Sequence, residues 1–225
     1  MNWLLLNSGR CAPAENMAWD EALLENVARL GHPVLRFYGW TEPAATFGYF
    51  QKFAEVERMT TLRPLIRRPT GGGLVPHDAD WTYSVTVPPG NPWYALKAVA
   101  SYRRMHEWVQ EAFAQLSVGV ELAPCSRKAA PGQCFAGAEQ FDVMAGPRKI
   151  AGAAQRRTKD GLLIQGSIQP PSGVVRDAFE DAFADAARLH LGGDGAFYEP
   201  GTAMQRHVQE LASQKYGHDG FNRRR

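Results

Sequence analysis

The residues able to do chemistry fall into two stretches. The first is RRPTGGGLVPHD, Arg67 to Asp78; the second is CFAGAEQFDVMAGPRKIAGAAQRRTKDGLLIQGSI, Cys134 to Ile168. In the first, Gly71, Gly72 and Gly73 admit two readings. They form a flexible turn between strands, or a backbone surface with free amides for an extended ligand. Arg67 and Arg68 suit a carboxylate or phosphate, but side chains alternate along an extended segment, so one of them must point away. The GxxxxGK[ST] spacing of a Walker loop is absent. His77 and Asp78 are neighbours that face apart, which favours a histidine hydrogen-bonded in a turn over a catalytic dyad. No second His or Cys stands at ligand spacing, so no metal is expected.

Cys134, in the second stretch, reads either as a small buried hydrophobe or as a nucleophile. A nucleophile needs a cation nearby to favour the thiolate, and Lys149 and His77 are the candidates. Lys149 reads either as a solvated strand lysine or as a point charge that neutralises a phosphate or polarises a carbonyl. After it come Ala151, Gly152, Ala153 and Ala154. Small side chains on a strand let another body approach closely.

These residues need a scaffold. Strands are predicted at Trp3–Leu6, Val34–Tyr38, Ala45–Tyr49, Leu65–Arg68, Trp81–Val87, Val120–Ala123, Phe141–Met144, Lys149–Arg156 and Leu162–Ile168, the last two joined by a tight turn at Lys159-Asp160-Gly161. Helices are predicted at Ala14–Leu30, Trp93–Leu116, Val175–Leu191 and Thr202–Lys215. Pro124 to Gly132 reads as a loop. The strands cluster and do not alternate strictly with helices. The fold class is therefore α+β, with a mixed, largely antiparallel sheet flanked by helices.

At 225 residues the chain fits one domain. A net charge of +2 with 21% charged residues excludes a global field for nucleic acid or membrane. The three cysteines lack CxxC spacing, which argues against a disulfide framework or zinc site and for a reducing compartment. No window reaches transmembrane length, and the apolar run at the start is short for a signal peptide. A cytoplasmic protein is expected. The tail Arg223–Arg225 reads as a solvated end.

RRPTGGGLVPHD resembles the RRxTGGGAVxHD signature of the lipoate–protein ligase A and octanoyltransferase family. VLRFYGWTEPAATFGYFQK, RKIAGAAQRR, GLLIQGSI and LASQKYG are similar to further segments of that family, in its order. The resemblance implies a fold shared with biotin ligase catalytic domains, with residues 1–225 as a single catalytic domain and no accessory C-terminal domain. It implies that Gly71–Gly73 form a wall for a narrow acyl chain, that Arg68, Thr70, His77, Gly152 and Ala153 belong to the substrate site, and that Lys149 sits over the reacting carbonyl. Cys134-Phe135 stands where one branch of the family carries a nucleophilic cysteine. That branch implies transfer of octanoate from octanoyl-acyl carrier protein, through a cysteine thioester and without nucleotide, to a lysine of a lipoyl carrier domain. Glycine-cleavage H protein and the acyltransferase subunits of 2-oxoacid dehydrogenases carry such domains. The alternative within the family is a ligase that uses ATP and magnesium to form lipoyl-adenylate from free lipoate. A third reading is a non-catalytic acyl- or nucleotide-binding protein. Leu74, Pro76 and Ala153 depart from the family pattern, Ala153 replacing a serine.

Overall fold

A computed structural model of the chain describes residues 2–127, 132 and 134–224. In chain order its elements are β1 (Trp3–Cys11), α1 (Pro13–Leu30), β2 (Val34–Trp40), β3 (Ala44–Phe47), α2 (Phe53–Val56), β4 (Leu65–Arg67), β5 (Val75–His77) and β6 (Trp81–Val87). Then follow α3 (Pro92–Ala95), α4 (Ala98–Gln115), β7 (Glu121–Leu122), β8 (Val143–Ala145), β9 (Arg148–Thr158) and β10 (Gly161–Ile168). The last elements are α5 (Arg176–Leu191), β11 (Gly195–Phe197), α6 (Thr202–Leu211), which runs on through a π-turn at Ala212–Tyr216, and α7 (Asp219–Asn222). An eight-stranded sheet runs β11-β1-β2-β6-β10-β9-β8-β7, and a three-stranded sheet runs β4-β3-β5. In the large sheet β1 lies parallel to β11 and β2, and the remaining pairs are antiparallel. The mixed, largely antiparallel sheet expected for an α+β fold is present.

Strand alternation sorts the large sheet into two unlike faces. In β6, Tyr83, Val85 and Val87 face a core shared with Trp108 and Phe113 of α4 and Phe179 and Phe183 of α5. Thr82, Ser84 and Thr86 alternate with them and are equally buried. The α1 face thus mixes buried hydroxyls, Gln165 and Arg36 of β2 with apolar residues such as Leu6 and Val34, while the α4–α5 face is mainly apolar. This division places the site on the α1 side.

The helix predicted over Trp93–Leu116 is interrupted. Leu96 and Lys97 are extended, so α3 is a short turn before α4. Trp93 packs edge-on against Trp108 at 6.1 Å. In one continuous helix those indoles would stand roughly 20 Å apart, so the break is what brings them together. Strand β11 was not expected, because Gly-Ala-Phe carries no alternation; it pairs onto the edge of β1. The tail is not simply solvated: Arg223 and Arg224 stack over the rings of Phe53 and Tyr49, each at 4.3 Å. Residue 225, and 128–131 of the expected Pro124–Gly132 loop, lie outside the described residues.

His106 of α4 is fully buried, and its ring nitrogens make no well-formed hydrogen bond among the described residues. Burial, reinforced by the charge of Lys149, pushes it down to about 3. The unfolded chain therefore takes up a proton below pH 6.5 that the folded chain refuses until near pH 3. Stability must fall with pH across that window, by about 1.4 kcal/mol per unit for one group. His190, depressed to about 4, acts in the same direction. His106→Leu is expected to retain about 2 kcal/mol more of its neutral stability at pH 5 than the native chain does, read from urea midpoints at pH 7 and 5. Equal acid slopes would show that His106 is protonated when folded.

Candidate active site

A cavity of about 50 Å³ lies between the two sheets, room for a few water-sized spheres. Its floor is the β9–β10 hairpin, where Gly152 faces Ser167, Ala153 faces Gly166 and Ala154 faces Gln165. Met17 of α1, Tyr38 and Thr82 line one side, and Thr46, Val75 and His77 of the small sheet line the other. Arg68, Cys134, Phe135 and Lys149 also line it.

The segment bearing Cys134 is laid against Leu74. Leu74 N–H donates to the Gly132 carbonyl at 2.7 Å, and Cys134 N–H donates to the Leu74 carbonyl at 3.1 Å. Gly73 N–H points at the sulfur, 3.3 Å from Cys134 Sγ. The glycines make this approach possible. A Cβ on Gly73 would sit 2.7 Å from the Gly132 carbonyl oxygen, and one on Gly72, whose φ is +88°, would sit 2.7 Å from Arg68 Nη2. At Gly71 a Cβ would meet nothing within 4 Å. None of the three is among the residues that line the cavity. The expected glycine wall is thus corrected: Gly72 and Gly73 admit the Arg68 side chain and the Cys134 segment.

Arg67 and Arg68 diverge as alternation requires. Arg67 turns to the end of the chain and donates to the carbonyls of Tyr49, Gln51 and Asn222. Arg68 turns to the cavity. Its Nε donates to Thr70 Oγ1 at 3.2 Å, its Nη2 to the Gly71 carbonyl at 2.5 Å and its Nη1 to the Thr46 carbonyl at 3.3 Å. Burial depresses this guanidinium, and the neighbouring Cys134 opposes that depression.

Thr70 does not line the cavity; its hydroxyl donates to Gln165 Oε1 at 2.7 Å, and Gln165 Nε2 donates to Asp20 Oδ2 at 2.6 Å. Asp20 in turn pairs with Arg36 at 2.8 Å, with both side chains fully buried. Ser84 and Tyr38 hydroxyls complete its shell. One buried polar chain therefore runs from Arg36 to Arg68.

Lys149 is held from the other side. Its Nζ lies 2.7 Å from Asp142 Oδ2 and donates to the Cys134 carbonyl at 2.8 Å. Asp142 is fully buried and also accepts from Glu139 N–H and the Tyr102 hydroxyl. Burial, then the Asp142 charge, raises Tyr102 well above the ordinary phenol range. Gly152 leaves the space this lysine occupies. His77 is a wall residue locked in place: it stacks on Trp40 at 3.9 Å and bonds Asp80 and Thr46, each at 2.8 Å. It sits in β5 and not in a turn.

Asp142, Tyr102, Asp20 and Gln165 were missed by sequence reasoning. A signal existed for Asp142, an acid in the predicted apolar strand Phe141–Met144, since a buried carboxylate demands a partner. Tyr102 lies in the predicted helix Trp93–Leu116, where no local signal singles it out. Among the described residues no three His, Cys, Asp or Glu side chains gather as a metal site would need, and no helix is long and apolar enough to cross a membrane.

Residues 12–183 match the model of the lipoyl protein ligase A/B catalytic domain. The chain belongs to that family. The octanoyltransferase LipM of Anoxybacillus flavithermus is 35% identical over 180 aligned residues, covering 74% of this chain and 64% of the relative. The chain thus spans less than two thirds of that relative's length. LipM of Symbiobacterium thermophilum is 32% identical, with 100% of this chain and 99% of the relative covered. Among solved structures, a lipoate-protein ligase A bound with ATP superposes with a TM-score of 0.80 at 22% identity, over 99% of both chains. A bi-partite lipoate protein ligase of Thermoplasma acidophilum gives 0.72 at 22%, over 99% of this chain and 96% of that one. These two likenesses establish the shared fold of the family.

Proposed function

We propose that this family member is an acyltransferase that takes an octanoyl group from octanoyl-acyl carrier protein, or a lipoyl group from the corresponding lipoyl thioester, onto Cys134 and passes it to a lysine of a lipoyl carrier domain. The observation that carries this reading is a half-buried thiol at a narrow cavity, with a backbone N–H on its sulfur and two buried cations beside it. The likeness to proteins named octanoyltransferase LipM supports it. Cys134 Sγ attacks the donor thioester carbon; the donor carbon–sulfur bond breaks, and the departing sulfur takes the proton Cys134 gave up. One thioester replaces another, so the step needs neither ATP nor magnesium. The acceptor amine then forms an amide, which is more stable than the thioester, and releases Cys134. Lys149 supplies a fixed positive charge near the acyl carbonyl.

The test is intact mass after incubation with octanoyl-acyl carrier protein and no nucleotide. The expected result is a hydroxylamine-labile octanoyl adduct that maps to Cys134. An unmodified protein that forms lipoyl-adenylate from ATP and lipoate would make it a ligase instead. Acyl binding without transfer to any carrier domain would make it a binding protein.

Gly152 gives a second check. A Cβ there would stand 2.7 Å from Lys149 Cε and 2.8 Å from Nζ. Because a flexible side-chain end can move, Gly152→Ala should leave Tm within about 3 °C. Displacing the ammonium should still slow transfer by about 10²-fold. A native rate in that variant would mean the lysine's position is immaterial.

A further inference from the structure

We propose that Arg68, and not Lys149, is the catalytic cation that holds the Cys134 thiolate. This deepens the acyltransfer reading and rests on it. Arg68 Nη2 and Cys134 Sγ reach the same point, the place a Gly72 Cβ would take, from 2.7 and 3.8 Å. The missing side chain at Gly72 leaves open the space that guanidinium and sulfur border from two sides. Gly73 N–H approaches the same sulfur. The ammonium of Lys149 is directed elsewhere, at the Asp142 carboxylate and at the main-chain oxygen of Cys134. It ties down the loop that carries the cysteine.

Charge balance points the same way. Lys149 already has its counter-ion in Asp142, 2.7 Å away. Arg68 is 4% exposed, and its bonds go to a hydroxyl and to neutral carbonyls. No carboxylate among the described residues forms an ion pair with it, and the Cys134 side chain is its neighbour across Gly72. A buried cation without an anion is costly, and a thiolate beside it offsets that cost. The same geometry serves both half-reactions. In the first, the electron pair on Sγ forms the bond to the acyl carbon. In the second, the amine nitrogen takes the acyl carbon, the Sγ–carbon bond breaks, and the pair returns to sulfur beside Arg68. The amine gives its proton to water. The chain through Thr70, Gln165, Asp20 and Arg36 fixes the guanidinium before substrate arrives.

The test reads the free protein. Iodoacetamide alkylation at pH 7 is followed by mass at the Cys134 peptide, with thermal melting as the folding control. Arg68→Met should slow alkylation about tenfold or more. Arg68→Lys should stay within about threefold of native, because the charge is kept. Lys149→Met combined with Asp142→Asn removes that ion pair as a unit but also frees the loop, so it is read by the pH midpoint of alkylation and not by the rate; that midpoint should stay within about 0.5 pH unit of native. Native-rate alkylation in folded Arg68→Met overturns the proposal and leaves Arg68 for an anionic ligand. If Arg68→Met does not fold, the other two variants decide: an upward shift of about one pH unit or more in the alkylation midpoint of the Lys149/Asp142 pair overturns the proposal, and near-native midpoints in both support it. The acyl adduct is scored separately. Alkylation that depends on Arg68 with no adduct from octanoyl-acyl carrier protein removes the transfer reading alone. An adduct with alkylation indifferent to Arg68 removes the cation assignment alone.

Discussion

Cys134→Ala is expected to lower octanoyl transfer to a lipoyl domain by at least about 10³-fold, with the fold intact. Of the four residues Arg68, Cys134, Phe135 and Lys149 that line the cavity together, the thiol is the one suited to attack a thioester: Arg68 and Lys149 are engaged cations and Phe135 is apolar. Its removal leaves the hairpin floor, the His77 wall and the Lys149–Asp142 pair in place. The small loss of buried volume at a half-buried position costs little stability. Cys134→Ser keeps a hydroxyl at the site and is expected to stay near the alanine value, since an alcohol is far weaker than a thiolate at neutral pH. The measurement is single-turnover transfer, with circular dichroism melting of each variant. Transfer by the alanine variant at a native rate would make the cysteine a packing residue and return the ligase chemistry to the front.

The second large effect is on stability. Asp20→Ala is expected to cost about 3–5 kcal/mol, because it leaves the Arg36 guanidinium buried without its anion. Both side chains are fully inaccessible, and the carboxylate also accepts from Ser84, Gln165 and Tyr38. Arg36 keeps its bonds to Ser8 and Asn16, and a ring 4.0 Å away in Tyr38, but these carry no full negative charge. In a chain of this size the loss corresponds to roughly 10 °C in Tm. Asp20→Asn with Arg36→Met removes the pair together and should recover much of the loss. A single-variant cost below about 1 kcal/mol would show that water or rearranged groups reach Arg36. Since Gln165 links Asp20 to Thr70, the alanine variant should also loosen Arg68 and slow alkylation of Cys134.

Much of the scaffold was legible before any coordinates. The alternation Trp-Thr-Tyr-Ser-Val-Thr-Val predicts β6 to its observed ends, Trp81 and Val87. Gly31 follows directly on the predicted helix Ala14–Leu30, and it caps α1 in the left-handed conformation with φ of 72°. The turn Lys159-Asp160-Gly161 predicts the β9–β10 hairpin and with it the register that pairs Gly152 with Ser167. These are local signals, carried by residues close in the chain. The interruption at Leu96–Lys97 was not legible, because it depends on Trp93 meeting Trp108.

The family followed from the order of several motifs, and the same motifs named Cys134, Lys149 and Arg68 as the residues to watch. Alternation alone required Arg67 and Arg68 to part. Which of them enters the cavity was decided only by the tertiary structure, because α7 lies where it can take Arg67 through Asn222. The role of the three glycines was decided there too. The freedom of Gly72 and Gly73 is spent on the approach of Arg68 and of a distant segment, Cys134 and Gly73 being separated by 61 positions. The partner of Lys149 is a carboxylate on the neighbouring strand segment, and the side chain facing Arg68 across Gly72 is the Cys134 sulfur. Charge pairing in a buried site depends on distances in space, and a linear sequence records residue types without those distances.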